Sequence, residues 1–240
     1  MRNIVRLTFM PIFTLFMSFA DVDAQVLNEK HKSIVTIAAL TAKGDLPALK
    51  VSLNKGLDAG LSINEIKEML IQLAAYCGFP RSLNAINTFN AVTTERRAKN
   101  INDPLGAEPT PLGNTENKYQ IGKNNLEKLT GRPESGTKTG YAAFVPVIDT
   151  FLKEHLFADI FSRGVLTNQE RELTTISALA SLGGVESQLQ GHLSISMRLG
   201  FTESQLRQML SMIENSIGKK EADAGREVLL KVVAARKQAN

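Results

Sequence analysis

The chain has 240 residues, of which 43% are hydrophobic and 22% are charged, with one cysteine and no tryptophan. This length and composition fit one or two soluble domains with an ordinary core. The net charge of +4 comes from scattered lysines and arginines without a basic stripe interleaved with aromatic residues, which argues against a nucleic-acid-binding protein. A single cysteine excludes a disulfide framework within the chain.

The first 24 residues have the pattern of an export signal. Arg2 and Arg6 form a positive start, residues 7–19 form an apolar run, and Ala24 offers a small residue at the cleavage position. The apolar run is too short to span a bilayer comfortably. We therefore predict cleavage after Ala24 and a periplasmic or secreted protein with no membrane attachment after cleavage. The alternative is an uncleaved anchor.

One segment occurs twice in the chain. Residues 36–44 align with residues 175–183 at an offset of 139, and residues 49–78 align with residues 189–218 at an offset of 140. A self-match at a fixed period indicates one supersecondary unit that is used twice. We refer to the two units as the first copy and the second copy.

Both copies show helical periodicity without an alternating strand pattern, so the predicted fold class is all-α. Capping boxes that begin at Ser62, Thr167 and Thr202 mark the starts of three helices. Four helices are predicted in each copy. In the first copy they cover about 33–43, 47–59 and 80–97, with a further helix that begins at 63. In the second copy they cover about 186–199 and 219–237, with further helices that begin at 168 and 203.

Prolines and glycines are concentrated between the two copies. This pattern predicts a linker at 98–140 that contains a short helix near 116–129, followed by a helix at 144–161 that enters the second copy. The predicted domains are therefore 25–97 and 141–240.

Glu172 and His192 are the candidate acid–base residues. Glu172 borders an apolar helix face, where partial desolvation favours a general acid or base, and His192 faces inward from the next helix. The first copy has Ser33 and Ser52 at the matching positions, so only the second copy keeps both groups. Two alternatives stay open: Glu172 complements the positive end of its own helix, and His192 is a satisfied core group.

No metal or cofactor site is predicted. The three histidines are scattered and do not combine with the single cysteine into a metal-ligand spacing. The sequence also lacks a glycine-rich phosphate loop and a nucleophile-elbow serine. Cys77 has apolar neighbours and is expected to be a buried free thiol.

The chain resembles the carboxymuconolactone decarboxylase family, whose superfamily also holds the alkylhydroperoxidase D proteins. In the second copy the likeness is carried by Arg171–Leu179, Gln188–His192 and Gly200–Glu203. In the first copy it is carried by Gly60–Glu68, Gln72 and Ala75–Pro80. The resemblance covers nearly all of the mature chain as two tandem domains. It implies alkylhydroperoxidase D-like helical domains that assemble into a ring, here a homotrimer of six domains.

The resemblance implies two possible chemistries. One branch decarboxylates a carboxylated lactone by acid–base steps without a cofactor, and the other reduces peroxides through a Cys-x-x-Cys pair assisted by Glu and His. This chain has Val185 and Gln188 where the second branch has its cysteines, so only Glu172 and His192 carry over from that branch. A peroxiredoxin-like function therefore lacks its dithiol.

The leading hypothesis is a cofactor-independent, decarboxylase-like lyase that acts on a small carboxylated or lactone-type molecule. Tyr76 either lines the substrate pocket or packs in the core. Arg171 or Arg198 is expected to neutralise a substrate carboxylate, and Arg171 fits a plain surface charge equally well. The alternatives are a non-catalytic exported binding protein and a redox protein that uses Cys77 between subunits.

Overall fold

The computed structural model describes residues 26–111, 117–134 and 136–239. Within these ranges the chain forms helices and no strand, which confirms the predicted all-α fold class. None of the described helices is both long and apolar enough to cross a membrane. The predicted export signal lies outside the described residues.

Each copy contributes four helices. In the first copy these are α1 Glu29–Lys43, α2 Leu46–Asp58, α3 Ile63–Cys77 and α4 Phe79–Ala98. Between the copies lie α5 Lys118–Thr130, α6 Gly140–Phe144, α7 Pro146–Phe151 and the π-helix Leu152–Ile160. In the second copy they are α8 Asn168–Leu182, α9 Glu186–Arg198, α10 Glu203–Ser216 and α11 Lys219–Ala239.

The three predicted capping boxes are present at the starts of α3, α8 and α10. At α3 the Ser62 hydroxyl accepts a hydrogen bond from the backbone N–H of Glu65 at 3.2 Å. The Glu65 carboxylate in turn accepts one from the backbone N–H of Ser62 at 2.7 Å. Because each box satisfies free N–H groups at a helix start, it places the first residue of the helix at the predicted position.

The helix predicted at 144–161 is present as α7 and the π-helix over residues 146–160, but its second part is π-helical and the separate short helix α6 precedes it. Pro146 has no backbone N–H and disfavours a helical conformation in the preceding Val145, whose φ of −131° and ψ of 77° interrupt the chain between α6 and α7. The π-helix follows α7 without a gap. Its Lys153 side chain is buried and pairs with Asp149 at 2.5 Å and with Glu134 at 2.7 Å.

The two copies share one hydrophobic core. Helix α1 of the first copy packs against α8 of the second copy, and these two helices lie at the centre of the molecule. The third helix of each copy packs on the first helix of the other, α3 on α8 and α10 on α1. Side chains from both copies therefore meet in one cluster, including Ile37, Leu70, Ile176 and Leu210.

A second, smaller apolar cluster joins α5 to the π-helix. Leu129 of α5 packs there with Phe157 and Phe161. The two backbones approach closely at Gly122, where an added Cβ atom would lie 1.9 Å from the carbonyl oxygen of Lys153. Only glycine fits this position without a shift of one of the two helices.

The segment that follows α4 is bound to the start of α3. The backbone N–H groups of Ile63 and Asn64 donate to the carbonyl oxygens of Pro104 and Leu105, at 3.0 and 2.9 Å. These bonds satisfy two of the N–H groups that a helix start leaves free.

Helices α6 and α7 expose several large apolar side chains. Phe144 is 89% exposed, Tyr141 is 64% exposed and Phe151 is 58% exposed, with Val147 and Ile148 beside them in the sequence. We call these five residues the α6–α7 apolar patch. Exposed apolar clusters of this kind mark interaction surfaces more often than isolated exposed side chains do.

Replacement of Gly122 by alanine is expected to lower the free energy of unfolding by at least about 2 kcal/mol, since the new methyl group overlaps the Lys153 carbonyl. Gly191 of α9 provides the matched control, because an added Cβ atom there meets nothing within 4 Å. Gly191→Ala should raise stability by roughly 0.5–1 kcal/mol through helix propensity. Urea denaturation of both variants measures the difference, and equal effects would contradict the described approach of α5 to the π-helix.

Candidate active site

Helix α8 is buried on nearly all of its faces, from Arg171 to Ser181. Glu172 lies near its N-terminus, and its side chain has no solvent exposure. A buried carboxylate is costly unless a partner compensates for the lost hydration. The partner of Glu172 therefore decides what this group does in the protein.

His192 of α9 is this partner. Its ring nitrogen Nδ1 lies 2.8 Å from Oε2 of Glu172, and the imidazole keeps 15% of its side-chain surface exposed. Because an ionised carboxylate only accepts hydrogen bonds, Nδ1 donates to it. The second ring nitrogen, Nε2, makes no hydrogen bond with any described residue and is left for a proton transfer. The predicted meeting of the carboxylate and the imidazole is thus present in the structure.

Tyr76 of α3 completes the group from the first copy. Its ring meets the His192 ring edge-on, with 5.6 Å between centroids and an interplanar angle of 78°. Burial raises the pKa of the Tyr76 hydroxyl above its usual value, and the nearby Glu172 carboxylate raises it further, so the hydroxyl stays protonated. The ring thus packs on the imidazole, and its protonated hydroxyl lies within the electrostatic influence of Glu172 and Arg171.

Two polar atoms of this group lack a hydrogen bond of normal geometry to any described residue. They are the hydroxyl oxygen of Tyr76 and Oε1 of Glu172, and both are buried. Buried polar atoms without partners are rare in folded proteins and cost stability. Unsatisfied polar atoms beside an acid–base pair fit a site that binds a polar small molecule.

Serine stands at all three positions that match this group in the internal repeat. Ser33 and Ser52 stand for Glu172 and His192, and Ser216 of the second copy stands for Tyr76 at the same offset. A serine hydroxyl lacks the proton affinity of a carboxylate or an imidazole near neutral pH. The molecule therefore has one candidate acid–base site, although its scaffold is doubled.

Arg171 points into the interface between α3 and α8 and is fully buried. Its guanidinium lies 3.5 Å from the buried Glu68 carboxylate and donates to Oε1 of Gln72 at 3.1 Å. Burial lowers the pKa of Arg171, while Glu68 opposes this shift. The interpretation of Arg171 as a surface charge was wrong, and its location shows an internal ion pair that joins the two copies.

Glu68 and Gln72 are among the residues that carry the family resemblance, but no role was predicted for them, and Arg163, which binds both oxygens of Glu68 at 2.8 and 2.9 Å, was not predicted at all. Gln72 donates to the Arg171 carbonyl at 2.7 Å and to the Thr175 hydroxyl at 2.9 Å. The sequence contains a signal for Glu68 and Gln72, because both lie among the apolar residues of α3. These contacts fix the turn of α8 that carries Glu172.

Arg198 lies elsewhere, at the C-terminal end of α9. Its guanidinium lies against Gly131 after α5, where an added Cβ atom would be 2.1 Å from Nε. It lines a cleft of about 640 Å³ together with Arg132 and Arg236. Three further clefts of about 340 to 490 Å³ are present, and none of the four is lined by Glu172, His192 or Tyr76.

The remaining candidates for reactive groups lie apart from this site or are unreactive. Cys77 is partly buried, and its thiol donates to the Leu73 carbonyl at 3.1 Å. Burial raises the pKa of the Cys77 thiol to about 11, which keeps it in the unreactive protonated form. His155 is exposed on the π-helix, 3.8 Å from Asp159. The described residues contain no cluster of His, Cys, Asp and Glu that could hold a metal ion.

Comparison with protein-family models shows to which family the chain belongs. The model of the carboxymuconolactone decarboxylase family matches residues 11–91 and 146–230. The chain belongs to this family. The two matched regions include α1 to most of α4, and α7 to most of α11, which confirms two tandem family domains. A search of curated proteins found no match.

Within this family member, Glu172, His192 and Tyr76 form one contact group, whereas Arg198 lies outside it. Arg171 is close enough to influence the pKa of Tyr76, but its guanidinium binds Glu68. The group therefore combines one carboxylate, one imidazole and one phenol. It is equipped for proton transfer at Nε2 and for hydrogen bonding to a developing negative charge.

The hydrogen bond between Glu172 and His192 predicts the tautomer of the neutral imidazole. At alkaline pH, nitrogen-15 NMR of histidine-labelled protein should show His192 protonated at Nδ1, because the carboxylate holds that proton. In Glu172→Gln the amide no longer imposes this preference, so the Nε2–H form should increase. His31 and His155 are internal references in the same spectrum. A wild-type His192 protonated only at Nε2 would contradict the described contact.

Proposed function

We propose that this protein is a cofactor-independent enzyme that uses Glu172 and His192 for acid–base chemistry on a small carboxylated or lactone-type molecule. One observation supports the proposal most strongly: a fully buried carboxylate holds Nδ1 of a partly exposed imidazole at 2.8 Å. Family membership supports a carboxymuconolactone decarboxylase-like or alkylhydroperoxidase D-like protein. The residues present favour the first of these.

In the proposed reaction, Nε2 of His192 takes the proton of the substrate carboxyl group. The carbon–carbon bond to that group breaks and releases carbon dioxide, and the electron pair of this bond moves to the conjugated carbonyl oxygen, where the protonated Tyr76 hydroxyl donates a hydrogen bond to the new negative charge. Glu172 keeps the ring oriented and stabilises the imidazolium, and Nε2 then gives its proton to carbon as the carbonyl forms again. The same imidazole serves as base and acid, so the protons balance without a cofactor.

The thiol chemistry of the superfamily has no comparable support. Cys77 is the only cysteine of the chain, and burial raises the pKa of its thiol to about 11. Reduction of a peroxide by a dithiol cycle needs two cysteines that exchange with each other. We infer that a peroxidase activity, if tested, will be absent.

His192→Ala is expected to lower kcat/KM by roughly 10²- to 10⁴-fold, because the proton acceptor is removed. The measurement is carbon dioxide release or lactone consumption with 4-carboxymuconolactone and a panel of other lactone carboxylates. Glu172→Gln should also lower the rate, and Tyr76→Phe should affect kcat more than KM.

Two variants control this experiment. His155→Ala removes an exposed imidazole from the π-helix and should leave the rate unchanged, and so should Cys77→Ser. Circular dichroism of every variant separates loss of chemistry from loss of fold. Full activity in His192→Ala would overturn the acid–base proposal. Loss of activity in Cys77→Ser would favour the redox alternative, and a wild-type protein that binds panel members without converting them would favour a binding protein.

We also propose that the mature chain acts outside the cytoplasm as a homotrimer, as expected from the family resemblance. The α6–α7 apolar patch supports self-association, since contact with a second copy would remove its exposed rings from water.

Light scattering should give a mass about three times that of one chain. The double variant Phe144→Asp/Phe151→Asp should dissociate, because charge on this patch opposes its burial. Leu230→Asp changes an exposed apolar residue of α11 and is the matched control. A monomeric wild-type protein would contradict the trimer, and a trimer unaffected by the double variant would contradict the role of the patch.

A further inference from the structure

A cleft of about 640 Å³ lies between the outer face of α9, the turn after α5 and the C-terminal part of α11. This volume falls in the range of small-molecule sites. Ser194 and Ile195 of α9 form one wall, and Val232 of α11 contributes to the other. The cleft belongs to the second copy and to the segment between the copies.

The charged residues that line the cleft are all positive. Arg132, Arg198 and Arg236 line it, and none of the ten lining residues is acidic. None of the three guanidinium groups forms an ion pair with a described residue, although most other arginines of the described chain do. Three unpaired cations around one hollow create a positive potential that attracts an anion.

One of these arginines is held in place. The Arg198 guanidinium lies against Gly131, the residue with φ of 69° that ends α5, where a side chain would displace it. The negative end of the α5 helix dipole is at this position, which favours a cation there. Arg198 therefore lines the cleft while its guanidinium contacts the C-terminal end of α5.

The rest of the lining is largely apolar. Ile195, Met197 and Val232 border the same hollow as the arginines. An inorganic anion would leave this surface unused, whereas a molecule with an apolar body and a charged head would contact both parts. A planar guanidinium binds the two oxygens of a carboxylate in a matching geometry.

The cleft is separate from the acid–base group. His192 lies on α9 between Gly191 and Ser194, but its side chain turns toward Glu172 and Tyr76 and does not line the hollow. Successive helix positions differ by about 100° in direction, so His192 and Ser194 lie on different faces of α9. A molecule in the cleft thus contacts the same helix without contacting the imidazole.

We propose that this arginine-lined cleft is a second binding site, for a small organic carboxylate with an apolar body. Binding depends on Arg198 and Arg236 for the charged head and on Ile195 and Val232 for the body. It does not depend on Glu172 or His192. An experiment can therefore refute this site without refuting the acid–base function proposed above.

Isothermal titration calorimetry with the full mature chain tests this site. Octanoate and 2-naphthoate are the probes, acetate supplies the head alone and 1-octanol supplies the body alone. We expect both probes to bind and acetate and 1-octanol to bind at least about tenfold more weakly. Affinity for the probes should fall at about 0.5 M salt, because the arginines and the head group are exposed to screening.

The double variant Arg198→Gln/Arg236→Gln should weaken probe binding at least about tenfold. Arg207→Gln, which removes an exposed arginine of α10 that is paired with Glu203, is the matched control and should bind the probes like the wild type. His192→Ala should also bind like the wild type, which distinguishes this site from the acid–base site. Unchanged binding in the double variant, or no binding of either probe to the wild-type chain, would overturn the proposal.

Discussion

The third helix of each copy packs on the first helix of the other copy, and this packing brings the residues of the candidate site together. Helix α3 carries Glu68, Gln72 and Tyr76 from the first copy to α8 of the second. Glu68 and Gln72 bind Arg171, and Tyr76 meets His192 one turn further along α3. The described site therefore combines residues of both copies.

The two matching positions of this doubled scaffold carry different residues. A buried carboxylate needs a well-placed partner, and removal of either partner leaves an uncompensated polar group. Serine at positions 33, 52 and 216 has no charge to bury, and the Ser216 hydroxyl donates to the Met212 carbonyl of its own helix at 2.8 Å. The carboxylate–imidazole pair is therefore present on one side of the doubled scaffold only, which fits the acid–base role proposed above.

The sequence was sufficient for the features that depend on local interactions. The capping boxes at Ser62, Thr167 and Thr202 use residues three apart, so their helices begin where predicted. Glu172 and His192 were found because the internal alignment exposed their loss from the first copy. Both signals are present in the order of residues and need no knowledge of the packing.

Features that depend on contacts across the fold were not predictable in the same way. The π-helix contains a buried Lys153 and is approached closely by Gly122, which lies 31 residues earlier in the chain. The burial of Arg171 depends on Glu68, which is 103 residues earlier. Periodicity along one helix reports an apolar face, but it does not report which charge from another helix meets that face.

The shared site depends most directly on contact between Tyr76 of the first copy and His192 of the second. The chain has three tyrosines and three histidines, so a protein labelled only in these two residue types has a simple NMR spectrum. We expect a nuclear Overhauser contact between the rings of Tyr76 and His192, whose centroids are 5.6 Å apart. Absence of this contact in the folded wild-type chain, with both rings assigned, would contradict the shared site.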